Sequence, residues 1–238
     1  MPGLRVVPAA AFGAGALEAF LAAIEGKTAP RAGLATGNTP VALYRAAQAA
    51  VASGSVSLGH VRPFAIDEYV CAPDHFCANR AFFARYWQSI PGAAPVAQFD
   101  PAAPDLDAEA VRFAACLRAD AHLDLAVLGI GLNGHVAFNE PGSTASSSAR
   151  LVQLTEETRR SAAACFGPAP PAQGLTLGLH ELLGARVVLL LANGRAKASI
   201  VARALQGPVG KDCPASFIQD HPRAVVVLDE SAAADLHG

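Results

Sequence analysis

The sequence predicts an α/β fold with a mainly parallel sheet and helices on both of its faces. Three observations predict it. Short apolar runs of strand length recur, above all Leu123–Ile130, Arg186–Ala192 and Arg223–Leu228, and their uniform apolarity suits strands buried on both faces. Between such runs stand segments with apolar residues at helical spacing. No linker, fixed-period repeat or low-complexity stretch interrupts the 238 residues. The expectation is one doubly wound, Rossmann-like domain over residues 1–238. Its polar loops gather at the carboxyl edge of the sheet, where such folds bind ligands.

In chain order, Leu4–Pro8 reads as a short edge strand. Phe12–Glu25 places Leu17, Phe20, Leu21 and Ile24 on one helical face and stops at Gly26. Arg31–Pro40 reads as a strand running into a glycine loop, and Val41–Val51 as the helix that follows, with Thr39 as its cap and Pro40 in its first turn. Val61–Ile66 is a strand ending in Asp67-Glu68-Tyr69-Val70. Two adjacent carboxylates at a strand end point in different directions, so one can face the crevice while the other packs or caps. Asn79–Trp87 is an aromatic-rich helix whose Phe82, Phe83, Tyr86 and Trp87 read as core. Pro91–Pro104 is a loop holding a short strand at Val96–Phe99, and Leu106–Ala121 is an amphipathic helix. After the buried run at Leu123–Ile130, Ser143–Ser148 is small and flexible and Leu151–Leu154 is a strand. Thr155 caps a helix that cannot pass Gly167-Pro-Ala-Pro-Pro171, and this region could form a lid. Gly174–Leu179 and Arg186–Ala192 are strands, Arg195–Leu205 a helix carrying Lys197, Pro214–His221 short helix and loop, and Arg223–Leu228 the last strand.

Composition narrows the chemistry. Charged residues make up 16% of the chain and the net charge is −2, with no basic run, which argues against nucleic acid and acidic membranes as partners. No apolar run reaches the ~18 residues of a membrane span, and the N-terminus lacks a signal pattern. Cys71, Cys77, Cys116, Cys165 and Cys213 are scattered and odd in number, without a CxxC, so the expectation is reduced thiols in a cytoplasmic enzyme.

The chemistry concentrates at residues 125–142, Leu-Ala-Val-Leu-Gly-Ile-Gly-Leu-Asn-Gly-His-Val-Ala-Phe-Asn-Glu-Pro-Gly. A buried strand here breaks into glycines with Asn133, His135, Asn139 and Glu140 between them. A turn alone needs no His and Glu five residues apart. His135 and the carboxylate of Asp67 supply two proton-transfer groups, and Glu140 or Asn133 can orient the imidazole through a ring nitrogen. Thr36-Gly37-Asn38-Thr39 opens a helix whose free N–H groups suit an anion, and Lys197 adds a cation. No activated Ser or Cys, no metal-binding spacing such as HExxH and no hydride-cofactor signature is present. The residues alone therefore point to a cofactor-free, metal-free proton-transfer enzyme acting on a phosphorylated metabolite.

Leu34-Ala-Thr-Gly-Asn-Thr-Pro40, Ile66-Asp-Glu-Tyr-Val70, Gly129–Gly142 and the Gly194–Ala198 turn with Lys197 resemble the glucosamine-6-phosphate deaminase (isomerase) family, relatives of the 6-phosphogluconolactonases. The resemblance runs from about Gly33 to Glu230, and Phe-Asn-Glu-Pro after the histidine favours the deaminase branch. It implies that Asp67 transfers the C2/C1 proton, that His135 assists ring opening, that Glu140 and Asn133 hold His135, and that Thr36–Thr39 and Lys197 hold the phosphate. It places Phe166 on the lid and implies a sugar-phosphate ligand and a monomer or small homo-oligomer. Galactosamine 6-phosphate, a lactonase-type hydrolysis and a non-catalytic sugar-phosphate sensor are the alternatives. Two departures stand out. Asn133 replaces the Asp of many members, and Ala164 stands where the family usually has a phosphate-binding Arg, a loss of ~1.5–3 kcal/mol unless Arg159, Arg160 or Arg195 replaces it. The chain also stops soon after Asp229-Glu230, without the extension of allosterically regulated members, so activation by N-acetylglucosamine 6-phosphate is not expected.

Overall fold

The computed structural model describes residues 3–72, 74–118 and 122–237. Nine strands and seven α-helices are assigned among them: β1 (Gly3–Val7), α1 (Phe12–Ile24), β2 (Arg31–Leu34), α2 (Asn38–Ala52), β3 (Arg62–Ala65), β4 (Asp67–Tyr69), α3 (Asn79–Tyr86), α4 (Leu106–Arg118), β5 (Leu125–Leu128), β6 (Arg150–Gln153), α5 (Glu156–Phe166), β7 (Gln173–Thr176), α6 (Leu179–Leu183), β8 (Val187–Ala192), α7 (Ala198–Gln206) and β9 (Ala224–Asp229). The end of the helix expected to reach Ala121 lies outside the described residues.

Six strands form one all-parallel sheet in the order β1-β9-β8-β5-β2-β3. Its central strands alternate between two apolar clusters. Val187, Leu189 and Leu191 face one with Phe20, Leu43, Tyr44 and Trp87. Val188 and Leu190 face the other with Phe113, Leu182 and Val201. Both faces are dry, which is why β5 and β8 read as continuous apolar runs rather than alternating ones. The aromatic residues of α3, with Trp87 just after it, divide accordingly: Phe83 and Trp87 are fully buried, while Phe82 and Tyr86 pack against the same cluster from its margin.

The structure corrects several expectations about the elements and the cysteines. Not every strand joins one sheet. β4, β7 and β6 form a separate antiparallel sheet, and the run expected to be a strand to Leu179 ends at Thr176 and turns into α6. Val96–Phe99 is reduced to a single bridge, Phe64 to Ala97, because the chain touches the edge of β3 only once. Thr39 does not cap α2. The helix starts two residues earlier, at Asn38, on Gly37 with φ +97°, and the Thr39 hydroxyl instead donates to Asn193 Oδ1 at 2.7 Å. The thiols are not all reduced: Cys77 and Cys165 form a disulfide across 88 positions, while Cys71, Cys116 and Cys213 are free. Thr155 does cap α5, accepting from the Thr158 N–H at 3.3 Å, and the helix stops at Gly167 with φ +76°.

Successive strands add to the parallel sheet in opposite directions from β2 and β5. The loops after β3, β2, β5 and β8, four adjacent strands, leave its carboxyl edge side by side. That divergence opens a crevice at the place expected for a ligand in such sheets.

Candidate active site

A cleft of about 390 Å³ occupies this crevice. Thr36, Gly37, Asn38 and Thr39 enter from the β2 loop, Asp67 and Tyr69 from β4, Gly131 and His135 from the β5 loop, Glu157, Thr158 and Ser161 from α5, and Lys197 from the turn after β8. Asp67 and His135 thus line one cavity, although they are 68 positions apart in the chain.

Asp67 and Glu68 part company at the end of β3. Glu68 is fully buried and accepts from the backbone N–H groups of Tyr69, Asn79 and Arg80 at 2.8, 2.8 and 2.9 Å, so it holds the first turn of α3. Burial raises its pKa, and those three N–H groups pull the other way. Asp67 faces the cleft. Burial, with the Glu68 charge beside it, pushes its carboxyl up to about 8. Asn79 Nδ2 donates to its Oδ1 at 2.6 Å.

The β5 loop folds back on itself around His135. Gly131 N–H donates to the His135 carbonyl at 2.9 Å, and the imidazole lies so close over Gly131 that any Cβ there would collide with the ring. Ala137 has φ +49°, a left-handed conformation rare for alanine, and it also lines the cleft. Asn139, fully buried, ties the loop down by donating to the carbonyls of Val136 and Leu177 at 3.1 and 2.9 Å.

His135 Nδ1 lies 3.4 Å from Glu140 Oε2 and 3.2 Å from the Thr158 hydroxyl. Nε2 is the nitrogen left for the cleft. Burial works against ionisation of Glu140, but hydrogen bonds and charge from His135, with Thr158 and Asn133 adding to them, bring its carboxyl down to about 2. Asn133 does not touch the imidazole ring. Its Oδ1 accepts from the His135 backbone N–H at 3.1 Å and its Nδ2 donates to Glu140 at 2.8 Å, so it braces the pair from behind.

Also lining the cleft, Lys197 Nζ donates to the Ile130 carbonyl at 2.8 Å, and burial lowers its pKa while Glu157 opposes the shift. Lys197 sits on a 3-10 turn, Arg195–Lys197, which precedes α7 rather than belonging to it. Asp229 fixes that turn: both its carboxylate oxygens accept from the Gly194 N–H at 3.0 Å. The Thr36 and Thr39 hydroxyls are already engaged by Asn79 and Asn193, which leaves the backbone N–H groups at the start of α2 as the ready anion donors. Lys197 is the one lysine or arginine among the described residues lining the cleft. Arg160 pairs with Glu156 and Arg195 with Asp235, both outside it, so neither replaces the arginine missing at Ala164. Arg159 does not line it either.

Phe166 ends α5 with its ring 4.9 Å from Tyr69 and 4.7 Å from His75, centroid to centroid, next to the Cys77–Cys165 disulfide. Tyr69 also packs on Phe138 at 4.9 Å and forms the cleft wall. Among the described residues no group of three or more His, Cys, Asp or Glu could hold a metal ion, and no helix is long and apolar enough to cross a membrane.

Sequence reading missed Asn79, Thr158, Ser161 and Glu157 as parts of the site. The Thr155–Thr158 spacing signals a cap, but nothing in it tells that the next turn faces a histidine. Asn79 opens an aromatic helix beside Arg80, and only its placement beside Asp67 distinguishes it.

The profile of the family described as glucosamine-6-phosphate isomerases/6-phosphogluconolactonase matches residues 7–227. A glucosamine-6-phosphate deaminase of Beutenbergia cavernae is 38% identical over 238 residues, 97% of this chain and 91% of that one. Its counterpart in Mycolicibacterium smegmatis is 39% identical over 230 residues, covering 93% and 87%. Among solved structures, a monomeric glucosamine-6-phosphate deaminase superposes with a TM-score of 0.90 at 29% identity, covering 98% of this chain and 99% of that one. A 6-phosphogluconolactonase from Thermotoga maritima superposes at 0.77 with 19% identity, covering 97% and 100%, a likeness of fold.

Proposed function

The chain belongs to the glucosamine-6-phosphate isomerase/6-phosphogluconolactonase family, and from that premise we propose that it converts glucosamine 6-phosphate and water to fructose 6-phosphate and ammonia. The observation that carries this reading is the shared cleft: Asp67 and His135 line one cavity together with Lys197 and the open N-terminus of α2.

In this reading the phosphate rests on the turn Thr36-Gly37-Asn38-Thr39 and on Lys197. His135, held through Nδ1 by Glu140 and Thr158, presents Nε2 to the ring oxygen and to the C1 hydroxyl. It moves the proton between them, and the ring opens to the aldehyde. The aldehyde acidifies the C2 proton, which Asp67 removes while a proton passes from the C2 ammonium to O1, giving an enolamine. Asp67 returns the proton to C1, leaving a C2 imine. Water adds to C2, the C2–N bond breaks, and ammonia leaves with the ketone formed. One carboxylate over the C1–C2 edge serves both carbons. A carboxyl whose pKa is about 8 is a stronger base than an ordinary one once ionised, which suits a carbon acid. The negative charge on Glu140 stabilises the imidazolium that forms.

Support for the deaminase over the lactonase comes from Glu140, which holds the His135 ring, and from Asn139, which ties down the loop that carries it. The relatives named above carry the deaminase name. The proposed ligand is a sugar phosphate, the proposed state a monomer, and the proposed compartment the cytoplasm, where charge retains phosphorylated sugars.

Ammonia release from glucosamine, galactosamine and mannosamine 6-phosphates tests the reading, with 6-phosphogluconolactone hydrolysis as the control. Glucosamine 6-phosphate is expected to react fastest. Asp67→Asn is expected to lose at least ~10³-fold in kcat and all exchange of the C2 proton with solvent, with phosphate binding retained. Lactone hydrolysis without ammonia release would overturn the assignment.

A further inference from the structure

We propose that Asn79 is the positioning residue for the proton-transfer base: its carboxamide holds the Asp67 carboxylate toward the cleft and is itself oriented by the hydroxyl of Thr36 on the phosphate turn. The inference rests on the deaminase reading above for the role of Asp67, and on this structure for the contacts.

Every polar atom of the Asn79 side chain is committed. Oδ1 accepts from Thr36 Oγ1 at 3.0 Å, which turns Nδ2 toward β4. One N–H reaches Asp67 Oδ1 at 2.6 Å and the other the Asp67 carbonyl at 3.0 Å. Flipping the amide would set Oδ1 against the Asp67 carbonyl and its ionised carboxylate, which only accept, and lose both contacts. The residue is 3% exposed, so no water replaces them cheaply. Its backbone is equally fixed, because Glu68 holds the N–H groups of Asn79 and Arg80. Asp67 is thereby gripped at both its side chain and its main chain by one side chain from another element.

The charges around Asp67 give this grip an electrostatic consequence. Glu68 and Tyr69 flank it on β4, Tyr44 faces it from α2, and His135 and Lys197 share the cleft. Burial and the Glu68 charge favour the neutral acid. Among the described residues, the Asn79 amide is the one donor within hydrogen-bond distance of the carboxylate. A donor that is never an acceptor at that nitrogen favours the ionised form, and only the ionised form can take a proton from carbon. Because Thr36 belongs to the turn that grips the phosphate, the amide also links the remote anchor of the substrate to the reacting edge.

The test compares the parent with Asn79→Ala and Asn79→Asp across pH, reading kcat and KM for ammonia release and, in parallel, the titration of the Asp67 carboxyl by carbon-13 NMR, assigned with Asp67→Asn. Asn79→Ala is expected to lose about 10- to 100-fold in kcat at neutral pH, with KM changed far less. Its acid limb and its Asp67 titration should both move about one to two pH units upward, so that the loss shrinks in alkali. Asn79→Asp keeps the shape of the side chain and covers the case in which truncation unfolds α3. A second acid beside Asp67 should move the limb further the same way. A loss that is equal at every pH, with the Asp67 titration unmoved, would overturn the proposal and leave Asn79 a packing residue. If the parent releases no ammonia from any amino-sugar phosphate, the deaminase reading fails instead. The NMR titration then still decides the Asn79 contact, upheld by the upward shift and overturned by its absence.

Discussion

Asp67 and Glu68 are neighbours with the same chemistry, and a helix N-terminus reached by only one of them gives them different tasks. Three backbone N–H groups satisfy Glu68, whereas Asp67 is left with one amide and a cleft. The folded pKa of about 8, raised from 3.8, carries a stability consequence. A raised carboxyl pKa means that the fold holds the proton more tightly than the unfolded chain does. Ionisation of Asp67 therefore subtracts stability as pH rises from 3.8 to about 8, and subtracts nothing below that window. Asparagine cannot ionise. Asp67→Asn is expected to unfold at higher urea than the parent in alkali, by on the order of 3–5 kcal/mol, with the gap closing in acid. Equal midpoints across that range would show that Asp67 is solvated. Glu140 has the opposite sign: its depressed carboxyl supports the fold at neutral pH and loses that support as pH falls toward 2. At this scale the sequence displayed His135, Glu140, Asp67 and Lys197, because polar residues among glycines after buried strands have few other uses. It did not display Asn79, Thr158 or the side-chain partners of Thr36 and Thr39, because those contacts join positions that no local pattern relates.

The element that most shapes the cleft is α5. Thr155 caps it, Thr158 in its first turn meets His135, and Phe166 at its end packs against Tyr69 and His75. The Cys77–Cys165 disulfide ties the far end of the helix to the loop before α3. A cross-link spanning 88 positions restricts the unfolded chain strongly. Reduction, or Cys165→Ser, is expected to lower stability by about 2–5 kcal/mol in urea titrations, whereas Cys116→Ser, at an exposed free thiol, should change nothing measurable. An unchanged midpoint after verified reduction would show that the bond adds no constraint. Scattered cysteines carry no spacing signal for such a pair, which is why composition alone suggested free thiols. The strands of the parallel sheet were legible as apolar runs, whereas β4, three residues long, is too short to show a period.

At the scale of the whole molecule, the doubly wound sheet was legible and the second sheet was not. Nothing in a short apolar run such as Gly174–Thr176 tells whether its partner is parallel or antiparallel. The proposed behaviour is a monomer with hyperbolic saturation by substrate, checked by sedimentation equilibrium beside initial rates. A sigmoidal curve, or a dimer at assay concentration, would contradict it. One residue, Ile66, joins β3 of the large sheet to β4 of the small one, and Asp67 hangs at that seam. Lys197 and the start of α2, the proposed phosphate anchor, belong to the large sheet's loops. The wall at Tyr69 belongs to the small sheet. A protein engineer seeking a new sugar can thus vary the wall at Tyr69 and the cleft-facing Glu157 and Ser161 of α5, sparing Asp67 and Thr158 and leaving the proposed phosphate grip on the larger scaffold alone.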